Sequence, residues 1–114
     1  MVKWCTLAQE AEVQQIADAS FHQPCLIFKH STRCSISAFA KNRLESQWDI
    51  PADLLKPYYL DLIAHREVSN KVASHFGIDH ESPQVLLIRD GMCVYDASHL
   101  AITVDAILAQ LEVA

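Results

Sequence analysis

The spacing of apolar positions along this chain changes several times, and each spacing marks a different element. Val13, Ile16, Ala17 and Phe21 recur at helical intervals, which predicts a first helix over residues 7–21 with one apolar face. Thr6 is placed to cap it, with Gln9 three residues on completing a capping box and Glu10 and Glu12 near the positive end. Pro24 stops this pattern. Cys25-Leu26-Ile27-Phe28 is then a short, continuous apolar run, as expected of a strand covered on both faces. A polar loop over residues 30–33 leads into Ser35–Gln47, where Ile36, Phe39, Ala40 and Leu44 fall at helical spacing. Trp48-Asp49-Ile50-Pro51 breaks that helix, and Pro57 introduces a second strand over residues 58–63.

Val68, Val72, Ala73 and Phe76 line a third helix, with Gly77 as its left-handed cap and Ile78 the apolar residue that follows. Two further strands, Gln84–Arg89 and residues 92–95, flank Asp90-Gly91, whose residues accept the positive φ angles of a two-residue hairpin turn. Thr103 caps a last helix in which Val104, Ile107, Leu108 and Leu111 share a face. The order helix, strand, helix, strand, helix, hairpin, helix predicts a single α/β domain over residues 1–114. A β-α-β crossover makes the first two strands parallel, and the hairpin completes a mixed four-stranded sheet with helices on both faces. That is the thioredoxin-like architecture. Phe28, Ile36, Phe39, Val68, Val72, Phe76, Leu86 and Leu108 are the expected core, with Trp4 and Trp48 as packing anchors.

In this arrangement Cys34 opens the second helix. Orphan backbone N–H groups and the positive end of the helix dipole favour a thiolate over a thiol there, and the thiolate is the nucleophile. Pro83, just before the hairpin, stands where thioredoxin-like folds carry a cis-proline beside the reactive sulfur, so the Ser82–Pro83 bond is expected to be cis.

Composition narrows the chemistry. With 14 acidic residues against 9 basic ones and a net charge of −5, the chain has no basic stripe for a nucleic-acid backbone. Its two glycines, Gly77 and Gly91, build neither a P-loop nor a dinucleotide fingerprint. Cys5, Cys25, Cys34 and Cys93 match no zinc spacing, and the six histidines are scattered, so no metal site is expected. No run approaches the roughly 18 apolar residues of a membrane span. The start of the chain shows no apolar leader, and a cytoplasmic protein is expected.

Three segments carry a resemblance in order along the chain: Ile27-Phe28-Lys29-His30-Ser31-Thr32-Arg33-Cys34-Ser35-Ile36-Ser37, Arg66-Glu67-Val68-Ser69-Asn70-Lys71, and His80-Glu81-Ser82-Pro83-Gln84-Val85. Asp90-Gly91 and Ala97-Ser98-His99 fit as well. The chain resembles the monothiol bacilliredoxins, also called bacillithiol-system or YtxJ-like proteins. The resemblance implies a cytoplasmic enzyme with no bound cofactor, which uses bacillithiol, a low-molecular-weight thiol, as co-substrate and acts on bacillithiolated client proteins. It points to Cys34 as the nucleophile, supported by His30, Thr32, Arg33, Ser35, Ser37, Ser82 and Pro83. Members usually have proline after the reactive cysteine, whereas this chain has Ser35. Serine keeps an N–H that proline lacks and offers the sulfur one additional donor. Arg33 is either a cation beside the thiolate or a solvated surface residue, and His30 either tunes the site or makes a structural hydrogen bond. Ser37 takes the place of the second cysteine of a C-x-x-C motif and is expected to cap or hydrogen-bond near the thiolate. Asp61 is either a buried proton acceptor under the site or a residue facing water. His65, His75, His80 and His99 have surface or capping explanations.

Three other activities fit the same thiol. A monothiol-glutaredoxin-like iron–sulfur carrier would have a Cys-Gly-Phe-Ser motif, and the glycine is missing here. An arsenate-reductase-like enzyme would need a set of arginines for the oxyanion. A non-catalytic binding module on the same fold would leave Cys34 no more reactive than the other thiols.

Overall fold

A computed structural model describes residues 2–112. Five strands form one mixed sheet: β1 (Cys5–Thr6), β2 (Cys25–His30), β3 (Lys56–Asp61), β4 (Gln84–Arg89) and β5 (Met92–Ser98). Their order across the sheet is β1-β3-β2-β4-β5, with β1, β3 and β2 parallel and β4 and β5 antiparallel. Four helices cover the faces: α1 (Ala11–Ala19), α2 (Ser35–Gln47), α3 (Arg66–Phe76) and α4 (Val104–Leu111).

The strand β2 lies in the centre and explains the two layers. Leu26 and Phe28 turn to one face and join Ala40 and Leu44 of α2 and Val104 and Ile107 of α4. Cys25 and Ile27 turn to the other, with Val13 and Ile16 of α1 and Val68 and Val72 of α3. This alternation is the two-residue period of a pleated strand, and every residue of β2 is buried.

The sheet differs from the sequence expectation in several places. Its fifth strand, β1, is two residues long, too short for periodicity to reveal, and Thr6 pairs with Tyr59 instead of capping a helix. The turn before α1 is held by Glu12, whose Oε1 accepts from Ala8 N at 3.1 Å and Gln9 N at 2.9 Å. The helix therefore starts at Ala11 and ends before Phe21, which is exposed. Strand β3 lies two residues earlier than expected, with Pro57 inside it, just before the first position that β1 pairs. His30 belongs to β2, not to the polar loop, because Ser37 satisfies its ring. Ile36 and Phe39 are not core but exposed, and Phe76 and Leu108 are half-buried at its margin. Phe28, Val68, Val72 and Leu86 are fully buried, as expected.

The punctuation matches the expectation closely. Gly77 sits at φ 69° and closes α3; Asp90 and Gly91 take φ 54° and 80° in the hairpin turn. Thr103 Oγ1 accepts from Ala106 N at 3.1 Å and starts α4. The Ser82–Pro83 peptide is cis.

Candidate active site around Cys34

Cys34 is the N-cap of α2, with extended backbone (φ −115°, ψ 122°), and its carbonyl accepts the first helical bond from Ala38 N at 3.0 Å. Its own N–H closes the preceding turn onto Ser31 O at 3.2 Å. The side chain is half-buried and accepts no capping hydrogen bond. The residue stands at the positive end of a 13-residue helix, beside the N–H groups of its first turn. The additional N–H that Ser35 keeps is not bonded to the sulfur.

The other three thiols stand elsewhere. Burial pushes Cys25 up to about 11 and Cys93 up to about 11, so both stay protonated and unreactive at neutral pH. Cys25 pairs with Ile88, and Ile88 with Cys93, which sets both thiols at the end of the sheet where β2 begins. Cys34 follows the end where β2 finishes, about 16 Å further along at the rise of a strand. Cys5 lies on β1, two strands from β2 and level with Ile27. A disulfide needs Cα atoms within about 7 Å, so none of these three reaches Cys34 in the folded protein.

Ser37 and His30 form the floor of the loop. Ser37 is buried on the first turn of α2; its Oγ accepts from Ser31 N at 3.0 Å and lies 2.7 Å from His30 Nδ1. The hydroxyl thus ties the loop to the strand. His30 packs at a tilt against both Phe28 and Tyr59, with ring centroids 5.7 and 5.6 Å away. Burial, reinforced by Lys41, lowers its pKa below the ordinary histidine value, against the opposing pull of Asp61 and Glu45. A neutral ring results. Asp61 is neither buried nor a proton acceptor beneath the sulfur: its Oδ1 accepts from Ile63 N at 3.0 Å and Ala64 N at 3.3 Å, closing the turn after β3.

Thr32, Arg33 and Ser35 are exposed on the loop and the start of α2. Ser82 is half-buried and Pro83 buried, and His99 N donates to Pro83 O at 3.1 Å. Because Gln84 pairs with Lys29, the Ser82–Pro83 turn enters β4 beside the point where β2 runs out into the Cys34 loop. The structure thus gathers His30, Thr32, Arg33, Cys34, Ser35, Ser37, Ser82 and Pro83 at one end of the sheet. At the same end lie Lys29, to which the sequence reading gave no role, and His80, to which it gave only a surface or capping one. A lysine directly after an apolar run was the available signal.

Solved structures with similar backbones extend the picture. A protein described as a candidate oxidoreductase with a thioredoxin fold matches at 28% identity, covering 95% of this chain and 92% of that one, with a TM-score of 0.76. The thioredoxin of Malassezia sympodialis matches at 13% identity over 97% of this chain and 90% of its own, with a TM-score of 0.73. Thioredoxin f2 of Chlamydomonas reinhardtii matches at 12% identity over 96% and 94%, with a TM-score of 0.69. The latter two are alike in fold alone. The fold and the lone thiol at its helix start are those of a thiol oxidoreductase. The model of the family monothiol bacilliredoxin BrxC matches residues 5–107, and the chain belongs to that family.

Proposed function

We propose that this protein removes bacillithiol from cytoplasmic client proteins by thiol-disulfide exchange through Cys34, with bacillithiol as a free co-substrate and no bound cofactor. The observation that carries this reading is the isolation of one thiol. Cys34 caps α2 and is half-buried, whereas Cys25 and Cys93 are held protonated by burial and lie at the far end of the sheet.

The Cys34 thiolate attacks the bacillithiol sulfur of the mixed disulfide. The sulfur–sulfur bond breaks, its electron pair leaves on the client sulfur, and that thiolate takes a proton from water. Cys34 now holds bacillithiol in a new disulfide. A second bacillithiol thiolate attacks the bacillithiol sulfur of this adduct, giving bacillithiol disulfide and the Cys34 thiolate again. Across the cycle, the mixed disulfide and one free bacillithiol thiol become the client thiol and bacillithiol disulfide, with one sulfur–sulfur bond exchanged for another. With Ser37 in the second position of the motif and no other thiol in reach, an external thiol must resolve the adduct.

A polypeptide client would meet an apolar rim. Ile36, Phe39 and Leu100 are 46%, 52% and 66% exposed. Arg43 joins the latter two, its guanidinium 5.2 Å above the Phe39 ring and bonded to Leu100 O at 2.8 Å.

Cys34→Ser is expected to abolish release of bacillithiol from a modified protein, followed by mass spectrometry, while Cys5→Ser, Cys25→Ser and Cys93→Ser largely keep it. Loss of turnover in one of those three would reveal an internal resolving thiol and overturn the monothiol cycle.

A further inference from the structure

Lys29 is a fully buried cation in an apolar strand, and the exchange proposed above makes no use of it. It projects from β2 on the side of Cys25 and Ile27, toward α1 and α3. An ammonium taken out of water costs several kcal/mol unless it is partnered. The ion pairs Lys41–Glu45 and His99–Glu81 do not reach Lys29. Its partner is a histidine: Lys29 Nζ lies 3.2 Å from His80 Nδ1, and Ser69 Oγ of α3 lies 3.2 Å from the same nitrogen.

An ammonium can only donate, so Nδ1 must accept, and His80 is fixed as a neutral ring with its proton on Nε2. Burial pushes Lys29 down to about 8, which leaves the ammonium the major form at pH 7. Burial, followed by the charges of Lys29 and Arg66, keeps His80 below the ordinary histidine value against the opposing pull of Glu81. Both protonation states suit the bond.

His80 belongs to the segment that delivers the Ser82–Pro83 turn. The next residue, buried Gln84, grips that segment too: its Nε2 donates to Asp79 O at 3.0 Å and its Oε1 accepts from Glu81 N at 3.4 Å. Gln84 is also the register partner of Lys29. One position on β2 therefore anchors the 79–83 segment twice, through a ladder neighbour and through a charged side chain.

We propose that Lys29 is a positioning residue: its buried ammonium holds His80, and through it the Ser82–Pro83 turn, beside the Cys34 loop so that a bound disulfide lines up with the Cys34 sulfur. Exchange requires the attacking, central and leaving sulfurs in line, and small displacements of such an arrangement are costly. This deepens the reading of Cys34 as the exchanging thiol and rests on it.

Lys29→Met keeps the length and apolar bulk of the side chain and removes the cation. Reaction of Cys34 with bacillithiol disulfide and with 2-hydroxyethyl disulfide is expected to slow about tenfold, the scale of one lost charged hydrogen bond. Alkylation of Cys34 by iodoacetamide, which reads thiolate character and access alone, should stay within about twofold. Amide exchange at residues 80–82 should quicken without a fall in melting temperature. His80→Ala should show the same loss, and the double variant should be no slower than either single one, because both break one link. Unchanged disulfide rates in Lys29→Met would overturn the proposal, as would parallel losses in alkylation and disulfide exchange with a lower melting temperature, or additive losses in the double variant. If Lys29→Met does not fold, His80→Ala at its exposed site decides: a selective loss supports the proposal and wild-type rates overturn it. A wild-type protein that reacts with 2-hydroxyethyl disulfide but not with bacillithiol disulfide would sink the bacillithiol reading, while the model disulfide still decides the role of Lys29.

Discussion

One hydroxyl, that of Ser37, secures the loop before Cys34. It accepts the Ser31 N–H and meets the His30 ring, so the chain between strand and helix is tied at both ends by a residue that no solvent reaches. Ser37→Ala would leave a backbone donor and a ring nitrogen without a partner, at a cost of about 1–3 kcal/mol. Urea denaturation should show this as a lower midpoint with an unchanged slope; a midpoint equal to wild type would mean that water replaces the hydroxyl. At this scale the position of Cys34 at the start of α2 was legible in the sequence, because the cysteine lies between an apolar run and a helical pattern. The polar residues around it were not. Lys29 and His30 looked like the edge of a loop, since only their partners, His80 eleven residues from Ser69 and Ser37 across the turn, make burial of such groups tolerable.

Helix α2 shows how an element can be placed correctly and rotated wrongly. Its bounds, Ser35–Gln47, agree with the sequence reading, yet the stripe it buries is Ser37, Ala40 and Leu44 where Ile36, Phe39, Ala40 and Leu44 were expected. Small residues at positions 37 and 40 let the helix lie close on Phe28 and His30, and a satisfied serine replaces an apolar side chain at the first contact. Ile36 and Phe39 are thereby turned outward near the thiol. Phe39→Ser should change stability by no more than about 0.5 kcal/mol, as surface substitutions do. The second-order rate with a bacillithiolated protein should fall several-fold while the rate with bacillithiol disulfide holds. Equal effects on the two substrates would show that the apolar rim does not contact the client. Strand β1 and the start of α1 escaped detection for a simpler reason: two residues have no period, and the capping pattern at Thr6 and Gln9 is outcompeted by pairing with β3 and by the Glu12 carboxylate.

For the molecule as a whole, the titratable groups shifted by desolvation give a stability profile that can be worked out by sign. His30 and His80 have lowered pKa values in the folded state, so below pH 6.5 the unfolded chain binds protons that the native one refuses, and stability falls as the pH drops. Lys29 titrates at about 8 when folded against 10.5 when unfolded. Between those values the unfolded chain holds the extra proton, and stability rises with pH. Cys25 and Cys93 act oppositely: at about 11 in the native state against 9.0 unfolded, they keep protons that the unfolded chain gives up, so stability falls above pH 9. Two thiols outweigh one amine there. The profile should therefore climb from pH 8, peak at about pH 9 and decline beyond it. Urea midpoints taken between pH 5 and pH 10.5 under reducing conditions would trace it. In Lys29→Met the climb should vanish while the decline above pH 9 persists, since the thiols are untouched. A wild-type profile flat from pH 8 to 9 would mean that Lys29 titrates near its ordinary value, and that water reaches its ammonium more freely than its geometry implies.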